Sequence, residues 1–244
     1  MRAHITTNAM RRVWLAVVFT AVSSIPSYSQ FLPDLRAKTP EEYDAYLDAI
    51  DGPVIEKGAA FERDFPASAL RLLVCELMAR EWRSRGDAVQ AAAAAERGLA
   101  IAPDYVPLLV EIADLLANGS GGLERADNAA RRALALIETI KAPRRTSIEE
   151  WTAAISKLRA QAHGALGMVH FKRDDLAGAV REFEAALVDT SVSVPLLHYR
   201  LGRLYAVSGR TAEARRELEE AARSDEKTLR ERANAALAAL PEPH

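Results

Sequence analysis

The side chains best suited to chemistry are His163, His170 and His198, because histidine titrates near neutral pH and is a common metal ligand. His163 and His170 share a helical face but stand seven positions apart. That is about 10 Å along a helix axis, too far for both to ligate one metal. His198 opens a later segment, from which an approach to them is conceivable. No cysteine or carboxylate completes a ligand set around these rings, so packing or solvent exposure is their expected role and no metal is expected. Asp174 and Asp175 fall in a turn, where Asp is favoured for backbone reasons, and Glu219 and Glu220 read as a solvated face. Residues 118–122, Asn-Gly-Ser-Gly-Gly, lack the Lys and Ser or Thr that complete a phosphate loop. Neither a nucleophile elbow nor a dinucleotide fingerprint occurs. No catalytic residue and no cofactor are expected, and the chain is read as a non-enzyme. Cys75 is the sole cysteine, so it reads as a small buried hydrophobe.

The elements that would position any site are helical. Of 244 residues, 49% are hydrophobic and rich in Ala and Leu, 27% are charged and 6% aromatic, a balance that favours helix over strand. Residues 1–29 stand apart. Arg11 and Arg12 precede an apolar run from Val13 to Val22, and Ser27 and Ser29 provide small residues before Gln30, the layout of a cleaved secretory signal. The run is about half the length that spans a bilayer, so no stable membrane span is expected after processing. A periplasmic or secreted location, in a bacterial envelope, is expected. Without residues 1–29, 34 acids face 29 bases, moving the formal charge from −2 to −5. No basic block interleaved with aromatics remains, which argues against a nucleic-acid groove.

The chain repeats itself. Residues 166–187, LGMVHFKRDDLAGAVREFEAAL, are echoed by residues 201–222, LGRLYAVSGRTAEARRELEEAA. The alignment sets Leu166-Gly167 over Leu201-Gly202, His170 over Tyr205, Asp174 over Gly209, Ala179 over Ala214, Phe183 over Leu218 and Ala186 over Ala221. Each copy reads as an amphipathic helix, a turn and a second amphipathic helix, and a period near 34 residues means stacked helical hairpins. The pattern resembles the tetratricopeptide repeat (TPR). That resemblance implies an all-α fold, an α-solenoid of antiparallel helix hairpins wound as a right-handed superhelix. Weaker copies give four repeats, at about 72–105, 106–140, 160–194 and 195–228, after an N-terminal helical hairpin in residues 30–71. The end of a capping helix and a tail fill 229–244. Ser147 and Glu150 form the pattern of a capping box, so the third repeat's first helix is expected to begin near Ile148 and run about 25 residues, roughly 37 Å. Its extra turns are expected to cover the flank of the second repeat, with a partner-docking arm as the alternative.

Glycine inside a helix costs about 0.5–1 kcal/mol relative to Ala, so Gly167 and Gly202 call for a close neighbour. Ala179 and Ala214 are expected to face those glycines, while Phe183 and Leu218 fill the space to the next hairpin. Near Ala95 and Gly98, which replace the large residue and the alanine, looser packing is expected.

The resemblance implies that first helices line a concave groove. Transferring that face here selects Glu76, Arg80, Arg83, Asp114, Asn118, Gln161, Lys172, Tyr199 and Arg203, with bases outnumbering acids four to two. The expectation is a non-catalytic scaffold binding a protein or peptide, with a slight preference for acidic or carboxylate-ended segments. The Lys and Asn set by which some relatives clamp chaperone C-termini is incomplete, since Asn118 is the only groove asparagine. The alternative is a structural subunit of an envelope assembly, or a homo-oligomer, joined through an apolar flank or the long helix.

Overall fold

The computed structural model describes residues 35–142, 147–188 and 194–241. The expected export signal lies outside them. Eleven helices and no strand occur among the described residues: α1 Pro40–Asp51, α2 Val54–Asp64, α3 Arg71–Ser84, α4 Ala88–Ile101, α5 Val106–Asn118, α6 Leu123–Ile137, α7 Ile148–Lys172, α8 Leu176–Val188, α9 Pro195–Val207, α10 Thr211–Ala221 and α11 Lys227–Ala238. They pair as the hairpins α1–α2, α3–α4, α5–α6, α7–α8 and α9–α10, each stacked on the next, and α11 covers the last. No described helix is long and apolar enough to cross a membrane.

Local chemistry explains where the helices begin. Thr39 caps α1 by accepting from the Glu42 N–H, with Pro40 in the first turn. Asp87 caps α4 through the Gln90 N–H at 3.0 Å. Before α7, Ser147 Oγ accepts from Glu150 N–H at 3.1 Å while the Glu150 carboxylate accepts from Ser147 N–H at 3.4 Å, so two otherwise orphan donors are satisfied. Pro107 and Pro195 occupy first turns, where the missing N–H costs nothing.

Three hairpin turns share one geometry. The second residue past the first helix is left-handed, Gly86 at φ 78°, Asp174 at φ 58° and Gly209 at φ 75°. The next N–H then reaches back to a carbonyl of the last helical turn: Asp87 to Trp82, Asp175 to His170 and Arg210 to Tyr205. This is the Schellman pattern, and it favours glycine because a Cβ is crowded there. Asp174 is the exception.

Packing differs from expectation at the glycines. A Cβ on Gly167 would stand 2.7 Å from the Phe183 ring, and one on Gly202 would stand 2.8 Å from Leu218 Cγ. The glycine therefore seats the large residue of the partner helix of its own hairpin rather than Ala179 or Ala214. A flat ring or branched side chain needs a missing side chain opposite it, whereas two small residues would leave a void. Gly98 is likewise not a loose spot. Leu108 of the next hairpin enters the space its side chain would occupy, with Cys75 Cβ at 3.2 Å from the same point, and Ala91, Ala94 and Ala95 are fully buried.

The long α7 packs along both α5 and α6, so its extra turns cover the second hairpin. Ile155, Ala162, Leu166 and Val169 are buried, while Ile148 in the first turn is 79% exposed. One apolar cluster runs from Tyr46 to Val169, a second spans Ala179 to Ala214, and a third joins Tyr199 to Ala233, with Met168 packed against both of the first two.

Candidate interaction site

The face formed by first helices carries a chain of polar contacts. Arg83 of α3 donates to Glu111 of α5 at 2.8 Å and is also bound to Asp114. Asp114 accepts from Asn118 Nδ2 at 2.8 Å, and the Asn118 carbonyl accepts from Arg200 of α9 at 2.8 Å. Lys172, the last residue of α7, bonds the Gly119 carbonyl just beyond α5. Arg83, Asp114, Asn118 and Lys172 are thus brought together around the end of α5. Arg200 joins them unforeseen.

The remaining expected residues fall elsewhere. Glu76 binds Arg80 and the Tyr105 hydroxyl, and its side chain is only 12% exposed, so it is a packed strut. Tyr199 is 8% exposed. Its hydroxyl accepts from Arg203 at 3.2 Å, and Arg232 lies over its ring, which puts this pair at the α11 end. Gln161 is exposed on α7.

Electrostatics on this face are uneven. Burial opposes the Arg83 charge, yet Asp114 and Glu111 outweigh it and hold the guanidinium's pKa above its usual value. Burial pushes the Glu111 carboxyl up, against the charge and hydrogen bond of Arg83. Burial also lowers the Arg200 pKa, partly offset by the charge of Asp114. Among the described residues Arg200 makes no ion pair; its one bond goes to a neutral amide. The cluster around the end of α5 thus holds three bases (Arg83, Lys172, Arg200) and two acids (Glu111, Asp114).

The histidines do not converge. His163 pairs with Glu182, His170 with Asp175 and His198 with Glu217, each at 2.8 Å. The first and last pairs recur one repeat apart, each linking a first helix to its second. The sequence carried that signal, because both pairs are separated by 19 positions. Asp175 serves twice: its other oxygen accepts from the Gly178 N–H at 2.8 Å, and that bond, then His170, holds its carboxyl below the usual range. Among the described residues, no group of three or more His, Cys, Asp or Glu side chains is placed to hold a metal ion.

Cys75 is buried, as expected, but is not a plain hydrophobe. Its Sγ bonds Glu62 at 3.3 Å, and burial, with Glu62 beside it, pushes the thiol up to about 12. Glu62 also receives Arg97 at 3.0 Å and Arg71 at 3.4 Å. Burial alone would raise its carboxyl pKa; hydrogen bonds from Arg97 and Cys75, with the two arginine charges, bring it below the ordinary value.

No family model and no curated protein sequence matches the chain. Among solved structures, it is similar to a chain of the APC/C hetero-tetramer Cut9-Hcn1, with TM-score 0.59 and 18% identity over 79% of this chain and 35% of that one. It therefore spans about a third of that relative's length. TTC0263, a thermophilic TPR protein of Thermus thermophilus, aligns at TM-score 0.49 and 18% identity, covering 81% of this chain and 99% of that one. At such identities the likeness speaks to fold alone, and the chain is an all-α solenoid of stacked helical hairpins.

Proposed function

We propose that this protein is a non-catalytic scaffold that holds a protein or peptide segment on the face built by α3, α5, α7 and α9. The observation that carries this reading is the polar cluster Arg83, Asp114, Asn118, Arg200 and Lys172, which gathers side chains from all four first helices onto one surface. Arg200 matters most. A half-buried guanidinium whose one partner is an amide has donors to spare, and an incoming carboxylate would supply the missing charge. The excess of bases favours an acidic or carboxylate-ended segment for the same reason. Export to the periplasm or beyond rests on residues 11–29 of the sequence alone.

Crosslinking pull-down from the native host tests the reading. Arg80→Glu with Lys172→Glu reverses two exposed charges and should abolish recovery of the crosslinked partner, with helicity unchanged. Full recovery would overturn it. Arg83 is a poor choice for the test, because its loss would strand Glu111 and Asp114 without their cation.

A second reading, a subunit joined to copies of itself, is favoured by Ile148 in the first turn of α7, which is 79% exposed. Light scattering across a concentration series separates the two, since self-association that Ile148→Glu removes would support it.

A further inference from the structure

A cleft of about 520 Å³ opens at the α11 end of the stack, between α9, α10 and α11. Its walls are apolar: Ala206, Val207, Leu218, Ala236 and Leu240 line it, and Val207 is 68% exposed. Two cations stand beside this surface, Arg203 from α9 and Arg232 from α11. Arg203 donates to the Tyr199 hydroxyl at 3.2 Å, and the Arg232 guanidinium carbon lies 5.1 Å from the Tyr199 ring centroid. Neither makes an ion pair among the described residues, whereas nearby Arg210, Arg216 and Arg223 are each matched to a glutamate. Both guanidiniums are exposed, so their donors are free to meet an anion that settles beside the apolar wall, where Val207 stands uncovered.

We propose that this cleft binds an anionic amphiphile, a small molecule with a carboxylate at the end of an apolar chain. The volume falls in the range of small-ligand sites. The alanine-lined wall would cover the chain. The two guanidinium forks and the Tyr199 O–H, which accepts from Arg203 and keeps its own proton to donate, suit both oxygens of a carboxylate.

Isothermal titration calorimetry on the full chain, with sodium decanoate below its micellar concentration, tests the assignment. Saturable binding of one decanoate per chain is expected, with no heat from 1-decanol or acetate at the same concentrations. Arg232→Gln should weaken decanoate by about tenfold or more, the loss of a charge-assisted contact. Ala236→Trp should fill the cleft and eliminate binding. No saturable binding, equal binding of decanol, or decanoate binding untouched by both variants would overturn the proposal. Tighter binding of decyl phosphate would overturn the carboxylate assignment, and preferential binding of a peptide with an apolar C-terminal residue would overturn the small-molecule assignment. Arg232 and Ala236 lie outside Arg80 and Lys172, the positions that test the scaffold face, so failure of one site leaves the other standing. If Ala236→Trp does not fold, the exposed Arg232→Gln still decides the matter.

Discussion

At Gly167 the balance of two opposed effects can be stated. Alanine would gain about 1 kcal/mol of helix propensity, but its Cβ would press on the Phe183 ring, which is 1% exposed and has nowhere to go. Overpacking of this kind costs about 1–3 kcal/mol, so Gly167→Ala should lower stability by about 1 kcal/mol net in urea unfolding. Adding Phe183→Leu should recover part of it. Asp174 runs the other way. It holds a left-handed φ of 58° where Gly86 and Gly209 sit in the matching turns, so Asp174→Gly should stabilise by about 0.5–1 kcal/mol, read as a rise in Tm. The equivalence of Asp174 and Gly209 was legible from the aligned repeats. Which residue sits over Gly167 was not, because that depends on the rotation of two helices about their own axes, and the one-dimensional pattern only says that small and large residues alternate.

At the scale of elements, helix starts were readable because their causes are local. Ser147 with Glu150, Asp87 with Gln90, and Thr39 ahead of Pro40 each act over three residues. Ties between helices were not readable in the same way. Arg97 meets Glu62 across 35 positions, and Arg200 meets Asn118 across 82, so each pair joins helices far apart in sequence that only the stacking brings together. The Glu62 node joins α2, α3 and α4, and it makes a pH prediction. Its carboxyl pKa is depressed in the folded chain, so its contribution is fully present above the unfolded value of about 4.3 and is lost as pH falls through the lower folded value. Urea unfolding of Glu62→Gln should therefore show a deficit at pH 7 that shrinks below about pH 4. A deficit independent of pH would mean that Glu62 acts through packing alone. The paired struts His163–Glu182 and His198–Glu217 tie first to second helices at equivalent places, and removing either histidine should cost about 1 kcal/mol, the net worth of such a bond.

At the scale of the whole molecule, the solenoid is a row of neighbours and not a single globular core, so stability is a sum of local interfaces. The largest apolar cluster ends at Val169, and those beyond it are smaller. Hydrogen exchange should find α9, α10 and α11 opening at lower free energy than α3 to α6. Uniform protection along the chain would contradict that ordering. The overall architecture was legible from one strong pair of repeats, since a hairpin that cannot bury its own apolar face must stack. The surface chemistry was legible only in part: Arg83, Asp114, Asn118 and Lys172, selected from the sequence, come together, but Arg200, half-buried and held by an amide, was invisible because no residue near it in sequence marks it.

The central claim is that partners are gripped by the first-helix face. Quantitative crosslinking of the native partner should compare the parent, Arg80→Glu with Lys172→Glu, and a control, Arg181→Glu, on the second helix α8. Capture should vanish in the first variant and persist in the control, with all three proteins equally helical. Capture that survives reversal of the first-helix charges, or that disappears with Arg181→Glu alone, would contradict the account.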